Sequence, residues 1–277
     1  MSTRRAELGE FLKARRARVS PEDVGLPAGG RRRTPGLRRE ELAQLAGVGV
    51  TWYTWLEQGR PINVSGQVLD AVATTLRLSS IEREHLYRLA EATPVRAPQA
   101  SACANENVFT EILAALDPLP ALITNTRFDI IQSNQAATDL FWDWHTLPCI
   151  HKNLLWCIVT EPRARQQLLN YDQEVPYLVA RLRSAYGEHV GDPDWETDLA
   201  RLRKLSPEFA ALWSRHEVAP CTPRPRHLLH PAAGELHLTV TELALPAHPD
   251  LVLFVDTPTD EQTRTRLTRT RRAPAPA

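Results

Sequence analysis

Residues 37–59 read Leu-Arg-Arg-Glu-Glu-Leu-Ala-Gln-Leu-Ala-Gly-Val-Gly-Val-Thr-Trp-Tyr-Thr-Trp-Leu-Glu-Gln-Gly. Leu42, Leu45 and Ala46 recur at helical spacing, which predicts a helix over about 38–46 with those three on its inner face. Ala43 is small enough to let a second helix approach closely. Gly47 suits a tight turn with positive φ, and Val48 plugs the corner. A second helix is predicted over about 50–58. Tyr53 and Leu56 point to one side of it, and Thr51, Thr54, Trp55 and Gln58 to the other. Two short helices on a tight turn, the second with a polar and aromatic outer face, suit the major groove of duplex DNA.

The surroundings support that implication. Leu8, Phe11, Leu12 and Arg15 predict a helix over 4–18. Residues 19–37 are rich in Pro and Gly and read as a loop, and Arg31, Arg32 and Arg33 lie in it. Two further helices are predicted at about 65–76 and 80–92, so five helices fall within the first ninety or so residues. Arg38 and Arg39 open the first helix of the pair and Arg60 follows the second, each placed to neutralise phosphate. The Arg31–Arg33 run suits backbone or minor groove. Val50 and Trp52 lie in the first turn of the second helix, where phosphate and base contacts fall.

Net charge is zero over 277 residues. Residues 1–60, however, hold 12 Lys+Arg against 7 Asp+Glu, and the remainder holds 21 against 26. A basic front on a slightly acidic body fits a polyanion partner. No apolar run reaches the roughly 18 residues of a membrane span, and the N-terminus lacks the apolar core of a signal peptide. A cytoplasmic location is expected. Cys103, Cys149, Cys157 and Cys221 form no Cys-x-x-Cys pair and are expected as free thiols.

Residues 93–106 are rich in Pro, Ala, Gln and Asn and read as a linker. A helix is predicted over 108–117, strands over 121–124 and 129–132, and a helix over 135–143. A helical block is expected from about 162 to 216, punctuated by Pro176, Gly187, Pro193 and Pro207. Strands are predicted over 226–230, 235–245 and 251–256. Strands that enclose a helical insertion imply an α+β domain with an antiparallel sheet.

The motif at 37–59 resembles the XRE-type, lambda-repressor-like helix-turn-helix. The fuller string from Arg32 to Gly47, followed by Trp52–Arg60, is similar to regulators whose C-terminal half is an MmyB-like ligand-binding domain. Further stretches carry the same resemblance: Pro120-Ala-Leu, Asn134-Gln-Ala-Ala, Asn153-Leu-Leu-Trp, Glu161-Pro-Arg-Ala-Arg, Ser206-Pro-Glu-Phe-Ala-Ala-Leu-Trp-Ser-Arg-His and His230-Pro-Ala-Ala-Gly-Glu-Leu. Two positions depart from the pattern. Gly49 stands where the family usually has Ser, which removes a side-chain cap from the second helix. Trp55 stands where the family usually has Arg, which removes one phosphate or guanine contact.

The resemblance implies a mainly α chain with a mixed α+β second domain. A five-helix lambda-repressor-like domain is expected over 1–93 and a linker over 94–107. A PAS-like sheet with helices over 108–258 would bind ligand and dimerise, and 259–277 would be a disordered tail. The implied partners are a double-stranded operator, a second copy of the chain and a small apolar or acidic effector, with an RNA polymerase sigma factor if the chain activates. Candidate effector contacts are Phe128, Trp142, Leu154, Trp156, Phe209 and Trp213, with Arg163 or His216 for a carboxylate. The expected role is activation of a biosynthetic or metabolic gene cluster, such as one for an antibiotic. Release of a repressor by an acidic or fatty-acid-like ligand, and an antitoxin-like protein-interaction module, stay open beside it.

No nucleophile elbow, phosphate-binding loop or paired-carboxylate signature appears, so no enzyme activity is expected. His145, Cys149, His151 and Cys157, and Cys221, His227 and His230, have zinc-ligand chemistry but spacings that match no common zinc motif. No metal or other cofactor is expected.

Overall fold

In the computed structural model, residues 3–27, 36–90, 106–141 and 152–270 are described. By their contacts they form two compact units. One holds the described residues of Met1–Arg96 together with Arg183–Arg201 and Ala211–Ala219. The other holds those of Ala97–Leu182, Leu202–Ala210 and Pro220–Ala277. The first unit thus takes in two stretches that the linear division places inside 108–258.

The first unit is helical. It contains α1 (Thr3–Arg18), α2 (Arg39–Leu45), α3 (Val50–Glu57), α4 (Gly66–Thr75) and α5 (Ser80–Ala90), with one turn of 3-10 helix at Glu22–Val24. Local chemistry sets the ends. Ser65 Oγ accepts from Val68 N at the start of α4. Ser79 and Glu82 form a reciprocal capping box on α5, with Ser79 N donating to Glu82 at 2.8 Å and Glu82 N to Ser79 Oγ at 3.3 Å. The core is built from Leu8, Phe11, Leu12, Leu42, Tyr53, Leu56, Val72 and Leu86. Leu45 does not join it and is 40% exposed. The buried arc of α2 runs from Leu42 through Ala46 to Ala43, and Leu45 lies about 60° beyond its Leu42 edge.

The second unit is a five-stranded antiparallel sheet with helices. Its strands are β1 (Ala121–Asn125), β2 (Ile130–Ser133), β3 (Arg224–His230), β4 (Gly234–Ala244) and β5 (Leu251–Pro258), in the order β2-β1-β5-β4-β3. Register pairs Leu122 with Phe254, Val240 with Asp256, and Arg226 with Leu238. Side chains alternate across a strand, so each such set shares a face. On the opposite face, Ala121, Ile123, Leu253 and Val255 pack against Phe109 and Leu113 of α6 (Glu106–Ala115). Asn134 rivets this corner. Its Oδ1 accepts from Ala121 N and Ala137 N, and its Nδ2 donates to Leu113 O and Leu119 O. Ala137 belongs to α7 (Gln135–Leu140).

Three expectations are corrected in the C-terminal half of the sequence, whose helices are shared between the two units. Helix α8 (Leu154–Thr160) was not predicted. Leu154 to Ile158 are all buried, so the segment has no apolar period to detect. Asn153 starts it, accepting from Trp156 N at 2.9 Å. Within the helical block lie α9 (Pro162–Gln167), α10 (Tyr171–His189), α11 (Pro193–Leu205) and α12 (Pro207–Trp213). Pro193 and Pro207 begin helices, as proline favours, but Pro176 and Gly187 sit inside α10. Pro176 lies in its second turn, and its missing N–H leaves only the Asp172 carbonyl without a helical donor. Finally, residues expected as tail form α13 (Glu261–Thr270). Asp260 caps it through Thr263 N, at 2.6 Å, and Thr263, Leu267 and Thr270 are buried along one stripe. A single apolar residue in that stripe was too little to signal a helix.

Candidate nucleic-acid interface

The turn at 46–49 is built as its residues require. Gly47 has φ +66°. Its N–H donates to Gln44 O and that of Val48 to Ala43 O, at 3.2 and 2.9 Å, which ends α2 in a left-handed cap. Ala43 is fully buried. Gly49 is extended and starts α3 with no side-chain cap. Its backbone carbonyl still accepts from Tyr53 N at 2.9 Å. At the start of α2, the Glu41 carboxylate accepts from Arg38 N at 2.8 Å.

Helix α3 has two distinct sides. Tyr53, Leu56 and Glu57 are buried, whereas Val50, Thr51, Trp55 and Gln58 are exposed and Trp52 and Thr54 half-buried. Thr54 Oγ1 donates to Val50 O at 2.8 Å, so its proton is spent within the helix. Trp55, 38% exposed, is covered on one side by the Arg60 guanidinium, 5.6 Å from the ring centroid. The cation–π contact makes the exposed indole less costly. Arg31, Arg32 and Arg33 lie outside the described residues.

Glu57 carries a role that sequence alone did not reveal. Its carboxylate accepts from Nε and Nη2 of Arg16, at 2.9 and 2.8 Å, and from the same atoms of Arg39, at 3.0 and 2.9 Å. Arg16 also donates to Leu37 O at 2.6 Å, tying α1, α3 and the entry to α2 together. Burial alone would raise the Glu57 pKa, but the two guanidinium groups outweigh it and hold the carboxyl below its ordinary value. Arg39 therefore meets a carboxylate of its own fold, while Arg38 is exposed. Gly9 permits the close crossing, because a Cβ there would overlap the Glu57 carbonyl.

The candidate effector contacts do not assemble as one set. Phe128, Leu154, Trp156 and Phe209 are buried in the sheet-bearing unit, and the Phe128 ring lies 6.2 Å from that of Phe254. Arg163 is exposed on α9. Trp213 and His216 belong to the helical unit. There Arg183 stacks 3.8 Å over the Trp213 ring, and His216 Nδ1 lies 3.2 Å from Glu7 Oε1. Trp142 lies outside the described residues.

One face of the sheet carries buried charge that was not expected. Arg226 donates to Asp256 and Glu174, Arg224 to Glu174 and Glu242, and Arg181 to Glu242. Burial would raise the Glu174 carboxyl, but Arg226 and Arg224 hold it below its ordinary value. Burial pushes Asp256 upward. The signal was the spacing Arg-Pro-Arg at 224–226, which in a strand places both arginines on one face.

Among the described residues no three His, Cys, Asp or Glu side chains are grouped to hold a metal, and no helix is long and apolar enough to cross a membrane. His145, Cys149, His151 and Cys103 lie outside them.

Residues 7–86 match a helix-turn-helix domain model. Residues 107–269, more than half of the chain, match the model of the MmyB-like transcription regulator ligand binding domain. A comparison with curated proteins finds no match. With a helix-turn-helix at its N-terminus and this domain over most of the remainder, the chain belongs to the MmyB-like family of DNA-binding transcription regulators.

Proposed function

We propose that the chain is a cytoplasmic homodimer that reads a two-fold-related operator and answers to a small acidic or apolar effector. The observation that carries the DNA half is the outer side of α3, where Thr51, Trp55 and Gln58 are exposed opposite buried Tyr53 and Leu56. Thr51, Gln58 and the methyl of Thr54 suit base edges, Trp55 suits a thymine methyl, and Val50 and Trp52 flank them. Arg38, Arg60 and Arg31–Arg33 suit phosphates. A dimer doubles the few base pairs that one helix reads. The strand order β2-β1-β5-β4-β3 supports a PAS-like reading of the second unit. An activator of this build presents α3 and α4 to a sigma factor, and the genes it serves are those of a biosynthetic or metabolic cluster.

Selection from a random 30-bp duplex pool, followed by footprinting, tests the DNA half. A palindromic consensus protected over two half-sites is expected. Failure to enrich any sequence overturns the reading, and an unsymmetrical single half-site overturns the dimer. Native mass spectrometry with a panel of acyl acids tests the effector half.

A further inference from the structure

Two stretches of the region that matches the ligand-binding model, Arg183–Arg201 and Ala211–Ala219, are built into the helical unit. Helix α1 holds them. Arg4 donates to Gly187 O and Glu188 O, both at 3.2 Å, in the last turn of α10. Carbonyls there lack helical donors and carry the negative end of the helix dipole, so a guanidinium suits them. Arg15 does the same beyond α12, donating to Arg215 O at 3.3 Å and to His216 O. Glu7 accepts from Arg183, and His216 Nδ1 completes the triangle at 3.1 Å from Arg183 Nη1. The Arg183 side chain is 1% exposed. A buried charge at that depth depends on its partner.

The neighbouring stripe of α1 faces the recognition helix. Arg16 holds Glu57 of α3, and Gly9 lets the two backbones touch. Gly59, at φ +67°, closes the same contact, since a Cβ there would lie 2.7 Å from Arg5 O. Arg4, Glu7 and Arg15 therefore share a rigid rod with Gly9 and Arg16. Displacing one stripe moves the other, because a packed helix shifts as a body.

We propose that α1 is the coupling element of this regulator, with Glu7, Arg183 and His216 as its clasp. When the clasp is closed, α1 seats α3 for DNA. When the region around Arg183 and His216 shifts, α1 shifts with it and α3 loses its seat. The proposal rests on the reading of the chain as an effector-responsive DNA binder. It goes beyond that reading by naming the residues that carry the signal, which act as positioning residues and touch neither DNA nor effector.

The test is hydrogen–deuterium exchange on the full chain, comparing wild type with Glu7→Gln and with the exposed control Glu10→Gln. In Glu7→Gln, amides of residues 51–58 are expected to exchange roughly fivefold faster, although position 7 does not belong to α3. The duplex selected by the wild-type chain should bind that variant several-fold more weakly, with Glu10→Gln unchanged in both. Faster exchange confined to 183–189 and 211–219, with 51–58 as in wild type, overturns the proposal and leaves the clasp as local packing. If Glu7→Gln does not fold, His216→Gln at the rim of the same triangle gives the same two outcomes. A wild-type chain that selects no duplex refutes the DNA reading, while the exchange result still decides the coupling.

Discussion

The carboxylate of Glu57 accepts from both Nε and Nη2 of Arg16, at 2.9 and 2.8 Å, in a two-pronged pair that is almost wholly buried. Such a fork fixes orientation as well as distance, so the C-terminal end of α3 is locked to α1 by one side chain. Glu57→Gln leaves two guanidinium groups facing a neutral amide. It should cost about 3–5 kcal/mol by denaturant unfolding, the scale for one partner lost from a buried pair. Arg39→Ala removes the outer, part-exposed arginine and should cost about 1 kcal/mol. A Glu57→Gln protein as stable as wild type would contradict the central role given to this pair.

Stability should also carry a pH signature from the same carboxylate. The folded Glu57 pKa is depressed, so its contribution is full above the unfolded carboxylate value and lost as pH falls below about 4.3. The gap in melting temperature between wild type and Glu57→Gln should therefore narrow between neutral pH and the acid side of that value. A gap that widens on acidification would reverse the assigned sign.

His85 titrates in a higher window. It is 1% exposed, its ring meets Phe11 edge-on at 5.1 Å, and neither ring nitrogen has a hydrogen-bond partner among the described residues. Burial, reinforced by Arg183, holds its pKa down at about 3. The unfolded chain binds a proton near pH 6.5 that the folded chain refuses, so stability falls as pH drops through that interval. The slope approaches about 1.4 kcal/mol per unit. His85→Phe keeps the aromatic contact and should flatten the unfolding free energy between pH 6 and about pH 4.

Gly49→Ser supplies the missing cap of α3. An added Cβ at Gly49 meets only the Trp52 Cβ, at 3.9 Å, and the backbone there is already extended. The gain is a few tenths of a kcal/mol, or about 1–2 °C in melting temperature. Calorimetry reads it directly, and a drop would mean that the serine cannot reach the free amides of the first turn.

Thr51→Ala should separate base reading from phosphate attraction. Loss on the selected duplex is expected to be about 1–3 kcal/mol, with less on random DNA. Arg38→Ala should weaken both alike and reduce the salt slope by about one unit. Equal losses on both duplexes for Thr51→Ala would place that side chain away from the bases. Thr54→Ala should cost less than Thr51→Ala, because the Thr54 proton is already given to Val50 O.

Local chemistry wrote the helix-turn-helix into the sequence. Gly47 marked a left-handed turn, Ala43 a close approach, and the alternation of Tyr53 and Leu56 with Thr51, Trp55 and Gln58 marked two sides of α3. Neighbours within a few residues decide all of these, so a linear string contains them. The strands were legible for the same reason, since a period of two needs only adjacent residues. Helix α8 was not, because a helix buried on every side has no period.

Charge pairing needed the folded chain. Nothing in the spacing of Glu57 and Arg16, or of Arg226, Asp256 and Glu174, shows that they meet. Each partner alone reads as an ordinary surface residue. The same holds for Trp213 and His216, which as sequence suggest an apolar pocket with a carboxylate anchor and in the fold sit against Arg183 and Glu7. Helical and strand periodicity follow from the chain's own covalent geometry and so are fixed residue by residue. Which charges are buried together depends on contacts between residues from 30 to 176 positions apart, and only the packed tertiary structure selects them.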